Sequence, residues 1–449
     1  VSDQIHRSVP RPIYTSITFG PQKQRRAFIC FAKRLIVYNM LDSGKGDFSG
    51  RWAVFALCAL LFISSQFYRA SNAIIAPDLR HDLGLSAEAL GLLTALFFYT
   101  FALVQLPLGP CLDRIGARRT MAFLTLIGSV GAWIFASAKT FQEAAFGRIL
   151  LGLGMSANLM GSMKLFTTWF SPQEFATLSG LILALGTVGN MVAATPLALL
   201  VEAVGWRWSF ALIGGLTACL AFAFLGVVRE GPKPLMSKGE GFPLREMVRM
   251  LVGRRDYWLI SFSTFVRYGV FVAIQGLWAG PYLMEVMGLS PVEAGNVLLL
   301  LNVGLVAGSP LGGWLSDRLL CSRKRVVIMG LGGMASSLFL ISTGLALGSP
   351  VVTAGLFCLF GIFSGFGIVM YAHIKELMPE GMTGMALTWV NLFTMFGGGV
   401  SLHLMGWALD RLSGGGPAGP REYAMTFLLG ALGLASAFLL YFLTRERRP

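Results

Sequence analysis

Long apolar runs, each near the length that crosses a bilayer as a helix, set the pattern of this chain. They fall at 52–76, 90–108, 120–138, 143–168, 176–200 and 208–228, then at 257–283, 294–312, 326–347, 350–374, 384–409 and 423–443. Polar turns separate them, and one longer polar stretch, 229–256, lies between the sixth run and the seventh. The runs do not alternate apolar and polar residues at period two, which excludes a transmembrane barrel. The pattern predicts an all-α polytopic membrane protein with twelve transmembrane helices in two pseudo-symmetric six-helix halves. The expected organisation is a basic tail at 1–50, a first half at 51–228, a connecting loop at 229–256 and a second half with a short tail at 257–449.

The two halves carry the same punctuation. "APDLRHDLGLSAEALG" at 76–91 lines up with "GPYLMEVMGLSPVEAG" at 280–295. At this single offset Pro77 matches Pro281, Gly84-Leu85-Ser86 matches Gly288-Leu289-Ser290, and Gly91 matches Gly295. Further on, Gly109 falls on Gly313 and Asp113-Arg114 on Asp317-Arg318. Repeated halves predict a ligand site between them, near the midplane of the membrane.

Composition supports the membrane class: of 449 residues, 55% are hydrophobic and only 13% charged. A net charge of +14 would by itself suit nucleic acid, so its placement matters more than its sum. With twelve spans, alternate loops fall on alternate sides. Of the 36 Lys and Arg residues, 27 lie in the tails and loops on the side of the N-terminus and five in those opposite. The positive-inside rule makes the basic side cytoplasmic and places both termini there, in a plasma membrane or bacterial inner membrane. The charge is therefore a topology signal, and no nucleic-acid partner is expected. Residues 1–50 lack the layout of a signal peptide and read as a cytoplasmic tail. In the connecting loop, Leu244, Met247, Val248, Leu251 and Val252 interleave with Arg245, Arg249, Arg254 and Arg255. This suits either a helix on the inner leaflet surface or a plain linker.

Six cysteines are dispersed without a C-x-x-C pair, so neither a disulfide framework nor a zinc site is expected. There is no Walker loop and no nucleophile with a base and an orienting group, so no enzyme and no cofactor are expected. The molecule reads as a monomeric carrier whose partners are a small molecule and the bilayer.

The loop "GPCLDRIGARR" at 109–119 is the most specific motif. Gly109 suits close helix approach, and Gly116 a turn that a side chain would obstruct. Asp113 can cap a helix or pair with a cation, while Arg114, Arg118 and Arg119 hold the loop at the surface. A charged lock here can hold one conformation and release it in another. With these residues in place, the chain resembles the major facilitator superfamily of transporters. "GGWLSDRLLCSRKR" at 312–325, with Gly313, Asp317 and Arg318, resembles the second-half copy of the loop signature. Arg148 in "GRILLGLG" is similar to the arginine-and-glycine motif of the fourth helix. The resemblance implies alternating access, in which the halves rock about a central site.

Charges inside the spans point to what such a site holds. Arg69 lies seventeen residues beyond Trp52 and Arg267 ten beyond Tyr257, about 26 and 15 Å along their helices. The first and seventh spans occupy matching places in the halves, so each offers a cation toward a shared cavity. Lys164 on the fourth span adds a third. No Asp or Glu falls in the interior of any run. Unpaired intramembrane cations are expensive and usually functional. Guanidinium groups match carboxylate and phosphate oxygens bidentately, so the expected ligand is a small organic anion. Tyr68, Tyr99, Gln275, Trp278, Asn302 and Asn391 are candidates to complete the pocket, and His373 is a candidate for proton coupling. For Arg69, Arg267 and Arg148, bracing of backbone carbonyls is the competing reading.

The pair of arginines, with "R-x7-P" from Arg69 to Pro77 and "RYG" at 267–269, also looks like the organophosphate:phosphate antiporters. That resemblance implies that Arg69 and Arg267 bind substrate phosphate. Arg267 lies farther from Pro281 than that branch's pattern, and its span-two lysine and span-five histidine have no counterpart. The expected anions therefore widen to carboxylates, sulfonates and phospholipids. "GTVGNMVAATP" at 186–196 partly resembles the fifth-helix antiporter motif but has Asn190 where Pro is usual, which disfavours proton-driven drug export. The alternatives are an exporter of amphipathic drugs or lipids, and a transporter-like ligand sensor.

Overall fold

Each half changes direction through the same three letters, and the structure shows why. In a computed structural model describing residues 48–229, 253–345, 347–378, 383–414 and 416–446, Gly84 ends one helix at φ 61° and Gly288 ends its counterpart at φ 69°. Only glycine reaches this left-handed cap without a steric penalty. Two residues later Ser86 and Ser290 cap the next helix, accepting from the backbone N–H of Ala89 and Glu293 at 3.2 and 3.3 Å. Gly-Leu-Ser is thus a stop, a spacer and a start.

The chain divides into two compact units, Val1–Trp52 and Ala53–Pro449. Of the first, only residues 48–52 are described, as the start of a helix. The expected tail and most of the connecting loop, with its amphipathic candidate, lie outside the described residues.

The first span runs Phe48–Ala70, breaks at Ser71 and continues as Asn72–Leu83, beyond the expected end at 76. The second and third are Ala87–Arg114 and Ala117–Ser137, and the fourth is Phe141–Met155 followed by Asn158–Trp169. Among the described residues, eleven helical stretches are long and apolar enough to cross a membrane. One of them, Thr177–Val227, has 51 residues, about 77 Å of helix against a hydrocarbon core of about 30 Å. Its backbone turns at Gly205, where φ is 79°, so it supplies the fifth and sixth spans. The count of twelve follows.

The seventh span begins as Arg255–Ala273 and then widens into two π-helical turns, Ile274–Trp278 and Tyr282–Val286. The eighth is Pro291–Trp314 and ends in another, Leu315–Leu319. The ninth is Arg323–Ser342. The tenth is Pro350–Gly365, a short 3-10 turn and Val369–Leu377. Thr383–Ser413 and Pro420–Tyr441 complete the set. Apolar side chains such as Leu103, Phe123, Trp208, Leu212 and Phe222 stay exposed on the outside of this bundle, as a lipid-facing surface requires.

The halves meet closely at the end opposite the loops 115–116 and 320–322, here called the far end. Gly91 on span two packs against Leu402 and Gly406 on span eleven, and Gly295 on span eight packs against Thr195 on span five. These two glycines are repeat partners, and a Cβ on either would strike the opposing backbone. Polar ties reinforce the closure. Arg80 reaches Glu285 at 3.0 Å, Thr195 donates to Asn296 at 2.8 Å, and Asp410 accepts from the backbone N–H of Ala87 and Glu88.

At the other end, which carries the basic loops, strong contacts lie within each half. Lys164 pairs with Asp113 and donates to the Leu112 carbonyl, and Arg118 donates to the Leu225 carbonyl. In the second half Arg323 pairs with Asp317 and with Glu376. Gly116 adopts φ 101° in the first loop, whereas the second, one residue longer, places Cys321 at φ 45°. Close approach at Gly109 and Gly313 was the expectation, but a Cβ on either would meet open space. These two glycines therefore do not serve close packing here.

Candidate functional site

Arg69 and Arg267 sit on the first and seventh spans, and the seventh brings them together through Tyr268. Arg69 Nη1 donates to the Tyr268 hydroxyl at 3.4 Å, and its guanidinium lies 4.3 Å from the centre of the Phe101 ring. Arg267 is buried and donates to the Ser364 carbonyl at 2.9 Å, with the Ser364 hydroxyl at 3.4 Å. Its guanidinium lies flat on the tenth span at Gly367, where any Cβ would collide with it. Tyr371, half-buried and within electrostatic reach of both arginines, pairs with the Thr394 hydroxyl at 3.2 Å.

On the second-half side, Arg267, Tyr268, Ser309, Ser364, Tyr371 and Thr394 are among the residues lining a cavity of about 200 Å³; Arg69 is not among them and reaches this group through Tyr268. Among the described residues neither arginine forms an ion pair, and the buried Nε of each has no partner. The arrangement offers directional N–H and O–H donors and uncompensated positive charge, which is what recognition of an oxyanion needs.

The other predicted residues fall into distinct places. Half-buried Tyr99 packs on Phe396 at 5.4 Å, where spans two and eleven meet. Asn391 is half-buried on span eleven, one helical turn from Thr394 and on the same face. Gln275 donates to Asn302 at 2.7 Å, and Asn302 donates to the Leu298 carbonyl, so this pair ties spans seven and eight. Trp278 is fully buried, donates to the Leu402 carbonyl at 3.2 Å, and lies against Gly91 and Gly406 between the halves.

Three expectations change. Tyr68 was expected beside the ligand, yet it is fully buried inside the first half, with its hydroxyl on Thr217 at 3.1 Å and its ring against Phe67 and Phe210. The helical rotation of one residue separates it from Arg69. Lys164 was expected to be a cavity cation without a carboxylate; its partner is Asp113 of the loop motif. Arg148, a gate candidate for which bracing of backbone is the competing reading, takes the bracing place inside the first half. It is fully buried, donates to the Tyr68 carbonyl at 3.1 Å and stacks between Phe97 and Phe135.

His373 is buried with both ring nitrogens engaged, Nδ1 with the Tyr441 hydroxyl at 2.7 Å and Nε2 with the Arg445 carbonyl at 2.9 Å. A carbonyl only accepts, so Nε2 carries a proton, and a neutral ring then accepts the tyrosine proton at Nδ1. Of the loop motif, Arg114, Arg119 and Arg318 are exposed.

Sequence reasoning missed Tyr371, Ser364 and Thr394. Tyr268 stood in the "RYG" triplet without a role of its own. The signal available for Tyr371 was its place in the apolar tenth span, shared with many packing tyrosines.

The family model of the Major Facilitator Superfamily matches residues 57–279 and 260–449. The chain is 26% identical to the hexuronate transporter of Bacillus subtilis (strain 168) over 371 residues, covering 76% of this chain and 84% of that one. It is 25% identical to the probable sulfoacetate transporter SauU of Cupriavidus necator over 311 residues, covering 63% and 70%. Among solved structures, a bacterial homologue of the human lysosomal transporter Spinster, inward-facing and unoccupied, superposes with a TM-score of 0.76. It is 18% identical, with 90% of this chain and 98% of that one covered.

Proposed function

The chain belongs to the Major Facilitator Superfamily and is a transporter, not an enzyme; from that premise we propose that it carries a small organic anion by alternating access, held between Arg69 and Arg267. The observation that carries the proposal is the convergence of two guanidinium groups, one from each half, on Tyr268 and Tyr371 with no carboxylate partner among the described residues. A cation pair left uncompensated in the membrane costs several kcal/mol, and an anionic ligand offsets that cost. The names of the relatives point the same way, since hexuronate and sulfoacetate are both organic anions. We read the substrate as a carboxylate or a related oxyanion bearing hydroxyls that Tyr371, Thr394 and Asn391 can meet.

The basic end is read as cytoplasmic, by the asymmetry of Lys and Arg. On that orientation the ties at the far end close the outside, and the arrangement is inward-facing. The Asp113–Lys164 and Asp317–Arg323 pairs then hold each half rigid as it rocks, while Arg80–Glu285 and Asp410 with the start of span two release to open the outside.

The test is counterflow of radiolabelled hexuronate into proteoliposomes, with sulfonates, sugar phosphates, lipophilic cations and neutral amphipaths as competitors. Wild type should be inhibited by one anion class. Arg69→Ala and Arg267→Ala should each lose about 30-fold or more in transport efficiency, the scale of a truncated charge pair of roughly 2 kcal/mol or more. Arg→Lys variants should retain part of it, because charge persists without the planar fork. Flux of cations or amphipaths that both alanine variants leave intact would sink the proposal and favour the export reading.

A further inference from the structure

A second cavity opens on the second half, lined on span seven by Phe265, Val266 and Val270, with a lining distinct from that of the cavity beside Arg267. It has a volume of about 320 Å³ between spans seven, eleven and twelve, lined by Phe265, Val270, Leu404, Trp407, Leu429 and Gly433 among others. Leu404, Trp407 and Leu429 are exposed on the outside of the bundle, so the groove faces lipid. On span eleven its lining runs from Val400 to Ala408, about 12 Å of helix, close to the depth of one hydrocarbon leaflet of about 15 Å.

The groove is also capped by charge. Arg411 lies one turn beyond Ala408 toward the far end, exposed, with its guanidinium 5.8 Å from the centre of the Trp407 ring. Arg421, likewise exposed, precedes the lining residue Thr426 by about 7.5 Å of helix. Neither arginine forms an ion pair among the described residues. The acids nearby are turned elsewhere: Asp410 holds the start of span two, and Glu422 accepts from the backbone of Gly419.

We infer that this groove holds an acyl chain of an anionic phospholipid from the adjoining leaflet, with the phosphate on Arg411 and Arg421. The apolar trough sits at acyl depth, and two cations without ion pairs among the described residues stand beyond it toward the far end, on the two helices that form its walls. Near a membrane surface each basic residue contributes about 1 kcal/mol toward an anionic headgroup. Only the statement that this is the outer leaflet rests on the orientation proposed above.

The experiment is native mass spectrometry of the full chain released from detergent, titrated with phosphatidylglycerol or phosphatidylcholine. Wild type should retain one phosphatidylglycerol in preference to phosphatidylcholine. In Arg411→Gln/Arg421→Gln that preference should fall about tenfold, to the level of the zwitterionic lipid. Gly433→Leu should lose both lipids, because a Cβ there touches only Val266 Cγ1 at 3.6 Å and a longer chain grows into the trough. Equal retention of the two lipids by wild type would overturn the inference, and so would adducts unchanged in both variants. A dimer peak abolished by Gly433→Leu would instead make the groove an interface between copies. Hexuronate counterflow, which the arginine-pair proposal requires, is read separately on the same variants and should remain.

Discussion

At the scale of single residues, the decisive fact is which side of a helix a polar group takes. Tyr68 and Arg69 are neighbours in sequence, yet one is sealed on Thr217 within a half while the other crosses to Tyr268 in the opposite half. Sequence reading found Arg69 and Arg267 because charge in an apolar run stands out. It did not separate Tyr68 from Tyr268, because a tyrosine in a membrane helix is compatible with core, lipid interface or cavity. Tyr68→Phe should therefore lower the melting temperature, reflecting about 1 kcal/mol for one buried hydroxyl pair, and leave counterflow affinity unchanged. A weaker substrate affinity in that variant would return Tyr68 to the site. Gly367→Ala is expected to behave in the opposite way. Its methyl group displaces the Arg267 guanidinium, so transport should fall about tenfold or more while the protein stays folded, as read by counterflow beside thermal melting.

Among elements, the repeat was legible because turns and caps need particular residues. Gly84 and Gly288 supply left-handed stops, and Ser86 and Ser290 supply caps, so their spacing survives in both halves. The π-helical turns of span seven were not legible, since an extra residue in a helical turn leaves the apolar pattern nearly intact. Nor was the partner of Asp113, because Lys164 lies 51 residues away on another span. Gly280 in that seventh span lies against the Ala73 carbonyl of span one. Gly280→Leu should wedge the far end apart, lengthening spin-label distances across it in double electron–electron resonance; unchanged distances would remove this contact from the gate. Asp82, in the last turn of the helix Asn72–Leu83 and beyond the apolar stretch Gly50–Ala70, is held below the ordinary carboxylate range, first by the Trp206 indole N–H and further by His81 and Arg207, against an opposing effect of burial. Its contribution to stability is complete above the unfolded value of about 3.9 and disappears as pH falls through the lower folded value. Below about pH 4 the melting temperature of wild type should drop more steeply than that of Asp82→Asn.

For the whole molecule, twelve spans in two repeated halves could be read from hydrophobicity and punctuation, but not the joining of spans five and six into one helical stretch that turns at Gly205. The closed far end could not, because it depends on which of several conformations the halves adopt, and one sequence encodes them all. The arginine pair without carboxylate partners among the described residues also has an electrical meaning. If the proposed site holds the substrate, an empty carrier exposes two uncompensated positive charges, a bound monoanion leaves one, and a dianion leaves none. A membrane potential acts on each such charge with up to about 2.3 kcal/mol per 100 mV. The return of the empty carrier should therefore be the voltage-sensitive half of the cycle. Dianions should cross in a loaded step almost indifferent to voltage, a contrast that currents recorded on solid-supported membranes would register directly.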